Sequence, residues 1–216
     1  MINLGNLNRN QNPNQNNGQS VSLNLNKGMS LDLTKAAKPL NRVRIGLGWS
    51  ANENRGGVSY DLDASAILLN HGRINDNADV IFYNQTDTGR GVRSAGDNRI
   101  GSYNMGGVEE DDETIYVDLA RIPNNTDEVR FIVTIHDAMA RQQNFGQVRN
   151  AYIRVVDEDD GQELCRYRLN EHFALQISCE IASIKRDERT GIWKFVAIGQ
   201  GSTKDLEGML ISYGVR

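Results

Sequence analysis

Carboxylates and side-chain amides crowd three short stretches of this chain: YDLDAS at residues 60–65, GDN at 96–98, and the run Glu109, Glu110, Asp111, Asp112 and Glu113. Adjacent carboxylates repel. Two unit charges about 4 Å apart at an effective dielectric near 20 cost roughly 4 kcal/mol. A fold that gathers several of them leaves them in water, protonates some, or binds a cation. Calcium takes six to eight oxygen ligands from carboxylates, carbonyls, amides and water. The sequence offers Asp61, Asp63, Asn84, Asp97, Asn98, the run from Glu109 to Glu113, and Asp137 after a strand-like run that ends at His136. Asp61 and Asp63 alternate along one strand, so they share a face, and the apolar run at 64–69 follows them. Carboxylates at the margin of such a strand call for a partner.

Other chemistries find little support. The loop from Asp97 is not an EF-hand, because Arg99 and Gly101 occupy its third and fifth positions, where Asp or Asn is needed. The segment at 157–163 fails the same pattern at Gly161 and reads as a hairpin turn. His71, His136 and His172 stand in unrelated settings without HExxH spacing, and no Cys/His pairing suggests zinc. There is no GxSxG elbow, and Gly199-Gln200-Gly201-Ser202 has neither the length nor the lysine of a phosphate loop. The chain is expected not to be an enzyme.

The elements that must position these groups are strands. Val43, Ile45, Leu47 and Trp49 alternate with polar residues. So do Ile115, Val117 and Leu119; Val129, Phe131, Val133 and Ile135; Ala151, Ile153 and Val155; and Ile177, Cys179 and Ile181. Alternation means one buried and one solvated face. Turn signals separate the runs: Asn-His-Gly at 70–72, Pro-Asn-Asn at 123–125 and Asp-Asp-Gly at 159–161. The expectation is an all-β protein, a two-sheet β-sandwich of about ten strands with one or two short helices, at 138–144 and 205–213. In a sandwich, loops distant in sequence meet at one end, so the acidic stretches can converge.

Residues 1–19 form a separate region with eight Asn and three Gln. Such a segment buries too little apolar surface to offset its ordering entropy, and reads as a disordered tail or as a self-associating assembly segment. Residues 20–216 are the folded domain. The net charge of −4 and pI near 5.4 argue against a nucleic-acid partner. Cys165 and Cys179 lack CxxC spacing and read as buried free thiols. No leader-like segment follows Met1 and no apolar run is long enough to span a bilayer, so a cytoplasmic protein is the expectation, with peripheral membrane association through bound cations left open.

The quoted stretches, together with GLGW at 46–49, VIFYNQ at 80–85, DDETIYVDL at 111–119, IVTIHDA at 132–138, QNFGQVRNAYIRVVD at 143–157 and WKFVAIGQG at 193–201, resemble the TerD family of tellurite-resistance and stress-response proteins. The resemblance covers roughly residues 20–205. It implies a calcium-binding β-sandwich with two calcium ions, ligated from Asp61, Asp63, Asp97, Asn98, Asp111, Asp112, Glu113 and Asp137. Other stress-response proteins of the same system are the expected partners; the alternative is a homo-oligomer through the amide-rich tail at 1–19, or a peripheral membrane scaffold reached through calcium with unfilled coordination. Three departures stand out. Ser50 follows GLGW where the family usually has Asp; Ser94 and Ile100 flank GDN; and residues 99–110 (RIGSYNMGGVEE) lengthen the loop before DDE, adding Glu109 and Glu110.

Overall fold

The computed structural model describes residues 23–24, 26–32, 41–50, 58–97, 99, 111–168 and 173–215. The expectations for residues 1–19, Asn98, Glu109, Glu110 and His172 lie outside them. The described strands are β1 (Leu23–Asn24), β2 (Ser30–Asp32), β3 (Arg42–Gly48), β4 (Leu62–Leu69), β5 (Val80–Ile81) and β6 (Val92–Ser94). They continue with β7 (Glu113–Asp118), β8 (Glu128–Ile135), β9 (Tyr152–Asp157), β10 (Glu163–Arg168), β11 (Ser178–Arg186) and β12 (Trp193–Ser202). Two short helices, α1 (Ala138–Arg141) and α2 (Leu206–Ser212), fall where the sequence suggests helical turns. Asp205 caps α2 by accepting a hydrogen bond from the Gly208 amide at 2.8 Å.

The strands form two six-stranded sheets, ordered β1-β10-β9-β3-β7-β6 and β2-β12-β11-β8-β4-β5. Every pairing is antiparallel except β1 with β10. The sandwich is the one the alternation implies. The strands beyond the expected ten include edge pieces of two or three residues, such as β1, β2, β5 and β6, too short to leave a periodic signal.

The main core lies between the sheets. Val43, Ile45, Leu47, Ile115, Val117, Ile153 and Val155 from one sheet meet Leu62, Leu68, Phe131, Val133, Ile184 and Phe195 from the other. A second apolar cluster explains why residues 64–69 break the alternation. Ile67, Leu69 and Ile132 point to the outer face of their sheet, where Met209 of α2 covers them. β4 is therefore buried on both faces, and a doubly buried strand reads as a continuous apolar run. Beside this cluster Arg130 pairs with Glu128 and Glu180, and its Nη1 also donates to the Tyr213 hydroxyl just past α2.

Both cysteines are free and buried in the core. Burial pushes each thiol up to about 12. The thiolate is the reactive form, so the native protein is expected to resist alkylation at pH 8, while unfolding in guanidinium exposes two titratable thiols. Rapid native modification of either cysteine, read by mass spectrometry, would contradict this burial.

Candidate metal centre

One end of the sandwich collects the start of β4, the end of β8 and the segment after β6. Asp61 immediately precedes β4 and Asp63 lies in it; both are buried, at 7% and 5% exposure. Register fixes their position: Leu62 pairs with Ile135 and Asp63 with Thr134. The His136 amide donates to the Asp61 carbonyl at 2.8 Å, so the β4–β8 ladder runs to the site's edge. Asp97 arrives from the loop after β6 and is exposed. One carboxylate oxygen from each of Asp61, Asp63 and Asp97 falls within 4.8 Å of the others.

The electrostatics of this cluster are unfavourable as it stands. Burial, then the neighbouring Asp61 charge, raises the Asp63 carboxyl to about 6. Burial also raises Asp61, with Asp97 adding to the effect. Asp61 Oδ1 is buried and has no hydrogen-bond partner among the described residues. Nearby groups offset part of this. His136 Nδ1 lies 3.6 Å from Asp63 Oδ2, and Arg141 Nη1 lies 3.6 Å from Asp61 Oδ2. Arg99 Nε donates to Asp97 at 3.1 Å.

The DDE run behaves differently from a single ligand cluster. Asp111, at 3% side-chain exposure, accepts from Arg154 Nε at 2.7 Å and Arg44 Nη1 at 3.3 Å, with Tyr152 Oη at 3.3 Å. It lies against the outer face of β3, where a Cβ on Gly46 would come within 2.2 Å of its carboxylate. That approach is why glycine stands mid-strand there. Asp112 continues the β3 edge: its amide donates to the Leu47 carbonyl and its Oδ2 accepts from the Trp49 amide, each at 2.8 Å. Glu113 is buried and crosses between the sheets to accept from the Ala64 amide. The short β5 pairs only with Ala66 and Ile67, so Glu113 meets a β4 amide beyond the end of that pairing. Three consecutive acids thus serve three separate structural contacts.

Asn84 is exposed in the turn closed by Phe82 and Gln85. The neighbouring Tyr83 ring meets His136 edge-on at 6.1 Å. Asp137 is exposed, adopts φ 51° before α1, and sits 3.5 Å from His136 Nε2. Among the described residues, Asp61, Asp63 and Asp97 are therefore the predicted ligands that the fold joins as a carboxylate triad. His136 and Arg141 are additions that sequence reading missed. The only hint was the adjacency of His136 to Asp137 at a strand end, since Arg141 carries no pattern of its own.

This is a two-sheet sandwich with a carboxylate cluster at one pole that could hold a cation. The TerD domain model matches residues 21–213. The chain is 42% identical over 191 residues to general stress protein 16U of Bacillus subtilis, covering 88% of this chain and 95% of that one. It is 40% identical over 190 residues to tellurium resistance protein TerD of Serratia marcescens, covering 87% and 95%. A crystal structure of a TerD homologue from Streptomyces coelicolor superposes with a TM-score of 0.63 at 20% identity, over 81% of this chain and 96% of that chain. The chain belongs to the TerD family, whose named members are tellurium-resistance and stress-response proteins. No helix among the described residues is long and apolar enough to cross a membrane.

Proposed function

We propose that this protein is a non-enzymatic calcium-binding module of a stress-response system, in which Asp61, Asp63 and Asp97 hold the cation and the ordered acidic pole docks a partner. The observation that carries the reading is the pairing of two buried, mutually repelling carboxylates with an unpartnered Asp61 Oδ1. A buried polar atom without a partner costs about 1–3 kcal/mol, and more when charged. A divalent cation supplies the missing interaction and neutralises the repulsion.

The donor chemistry favours calcium. The grouped ligand atoms are carboxylate oxygens, with no thiolate among them. They come from a strand end and a loop rather than from one rigid element, which suits the flexible, high-coordination geometry of calcium better than the strict octahedron of magnesium. On binding, Asp63 gives up the proton that its raised carboxyl would hold near pH 6. Arg141 and His136 then serve as positioning groups that hold the two buried carboxylates in place.

The non-enzymatic reading follows the names of the relatives, which are resistance and stress proteins. Among the described residues, His136, Arg141 and Arg99 are the side chains that pair with the site's carboxylates. Arg141→Ala tests the positioning role. Calcium affinity is expected to change by less than tenfold, while the apparent acid limit of binding moves upward because Asp61 loses its nearby cation. Abolished binding in Arg141→Ala, read by calorimetry, would make the arginine integral to the site.

A further inference from the structure

We infer that the partner docked at this pole is an anionic lipid surface, entered by apolar side chains that share an end with the carboxylates; the inference rests on the calcium reading above. Five large apolar side chains are exposed among the described residues: Val58, Tyr83, Met139, Leu175 and Ile211. Four of them lie in segments that meet at the candidate metal-binding end. Val58 precedes Asp61, and its carbonyl accepts from Gln143 Nε2 at 3.0 Å. The Tyr83 ring abuts His136. Met139, at 80% exposure, sits in α1 two residues after Asp137. Leu175, at 78%, occupies the turn into β11, where the Gln176 carbonyl accepts from the Phe145 amide at 2.9 Å. They come from four separate segments, so one amphipathic element does not explain their gathering.

The arrangement distinguishes a bilayer from a protein partner. Protein interfaces generally bury an apolar centre inside a polar rim. Here the exposed apolar tips are spread over four segments that share an end with the carboxylates, not gathered into one apolar centre. A membrane surface matches that spread: headgroup phosphates meet the carboxylate site while Met, Leu, Val and Tyr side chains reach the acyl boundary. Charge complementarity adds to it. Arg149 is exposed at this end, where its carbonyl accepts from the Ser50 amide, and the Arg99 side chain, paired with Asp97, is 80% exposed. Basic side chains of this kind are drawn to anionic leaflets. Without a cation the carboxylate centre repels the same lipids, so the interaction is switched on by calcium.

The test is co-sedimentation of the full chain with vesicles of phosphatidylserine and phosphatidylcholine, or of phosphatidylcholine alone, in calcium or in chelator. The double variant Met139→Ser/Leu175→Ser runs in parallel, and calorimetry reports its calcium binding. Both residues are exposed, so the variant is expected to fold and to bind calcium as the parent does. The expected result is pelleting that needs both calcium and phosphatidylserine and that falls by about tenfold in the variant. Calcium heat without pelleting overturns the lipid inference alone and leaves a protein partner. Pelleting in chelator, or undiminished pelleting of the variant, also overturns it. Absence of calcium heat removes the reading beneath it as well.

Discussion

In chelator at pH 7, replacing Asp63 with asparagine is expected to stabilise the protein, and in calcium the same change is expected to destabilise it relative to the parent. The sign follows from proton linkage. The Asp63 carboxyl stands near 6 in the fold against an ordinary 3.8, because burial and Asp61 disfavour its charge. Between those values the folded chain holds more protons than the unfolded one, so metal-free stability falls as pH rises through the window. A difference of roughly two pH units corresponds to about 3 kcal/mol. Asparagine removes this pH-dependent loss. The difference between variant and parent should therefore be small near pH 4 and grow to about 3 kcal/mol by pH 7 in chelator. Calcium reverses it, because the parent gains RT ln(1 + [L]/Kd) while the variant has lost a ligand. Urea denaturation at several pH values, with and without calcium, measures the crossover. A variant less stable than the parent in chelator at pH 7 would mean that Asp63 is stabilised by contacts other than a cation.

The second large effect separates Asp111 from the acids proposed as ligands. Asp111→Asn leaves Arg154 and Arg44 short of their shared counter-charge at a site where Asp111 is 3% and Arg154 17% exposed. Leaving a buried charge uncompensated costs about 3–5 kcal/mol; Arg154 keeps Glu163 at 3.2 Å and Arg44 keeps Glu158 at 3.5 Å, so the low end, about 3 kcal/mol, is expected. For a domain of this size that is a fall of roughly 10 °C in the thermal midpoint. The loss should be equal with and without calcium, and the calcium-induced shift should survive. Arg154 stays charged in the variant, because a guanidinium does not deprotonate in proteins, so it cannot escape the penalty by shedding its proton. An Asp111→Asn protein that keeps its midpoint but loses its calcium response would place this residue among the ligands instead.

The contrast between Asp63 and Asp111 shows what the sequence made legible. The period-two runs at 43–49, 129–135 and 151–155 carried the sandwich, because a half-buried strand must alternate. The face shared by Asp61 and Asp63 was equally readable, since residues two apart on a strand point the same way. The fate of Asp111, Asp112 and Glu113 was not. Their adjacency suggested one cluster, but Asp111 and Asp112 precede β7, which begins at Glu113, and each acid meets a partner from another element: Arg154 on β9, Trp49 after β3, Ala64 on β4. Such long-range partners leave no mark in local spacing. The cover that α2 lays over Ile67, Leu69 and Ile132 was hidden for the same reason, as was the approach of Arg141 to Asp61.

Glycine at 46 and 48 tells a similar story. In sequence GLGW is a motif without a mechanism. In the fold, a Cβ at Gly46 would strike the Asp111 carboxylate and one at Gly48 would come within 2.5 Å of the Tyr152 ring. The two glycines make room for polar and aromatic groups lying on the outer face of β3, and so help hold the stretch from Asp111 onward in its place.

The most direct measurement is isothermal titration of calcium into the chelator-treated, dialysed full chain, with Asp61→Asn and Asp63→Asn alongside. Saturable heat in the parent, lost or strongly weakened in both variants while Asp111→Asn retains it, is the predicted result. No heat from the folded parent at millimolar calcium, or unchanged heat in both Asp61→Asn and Asp63→Asn, would contradict the assignment of this pole as the calcium site.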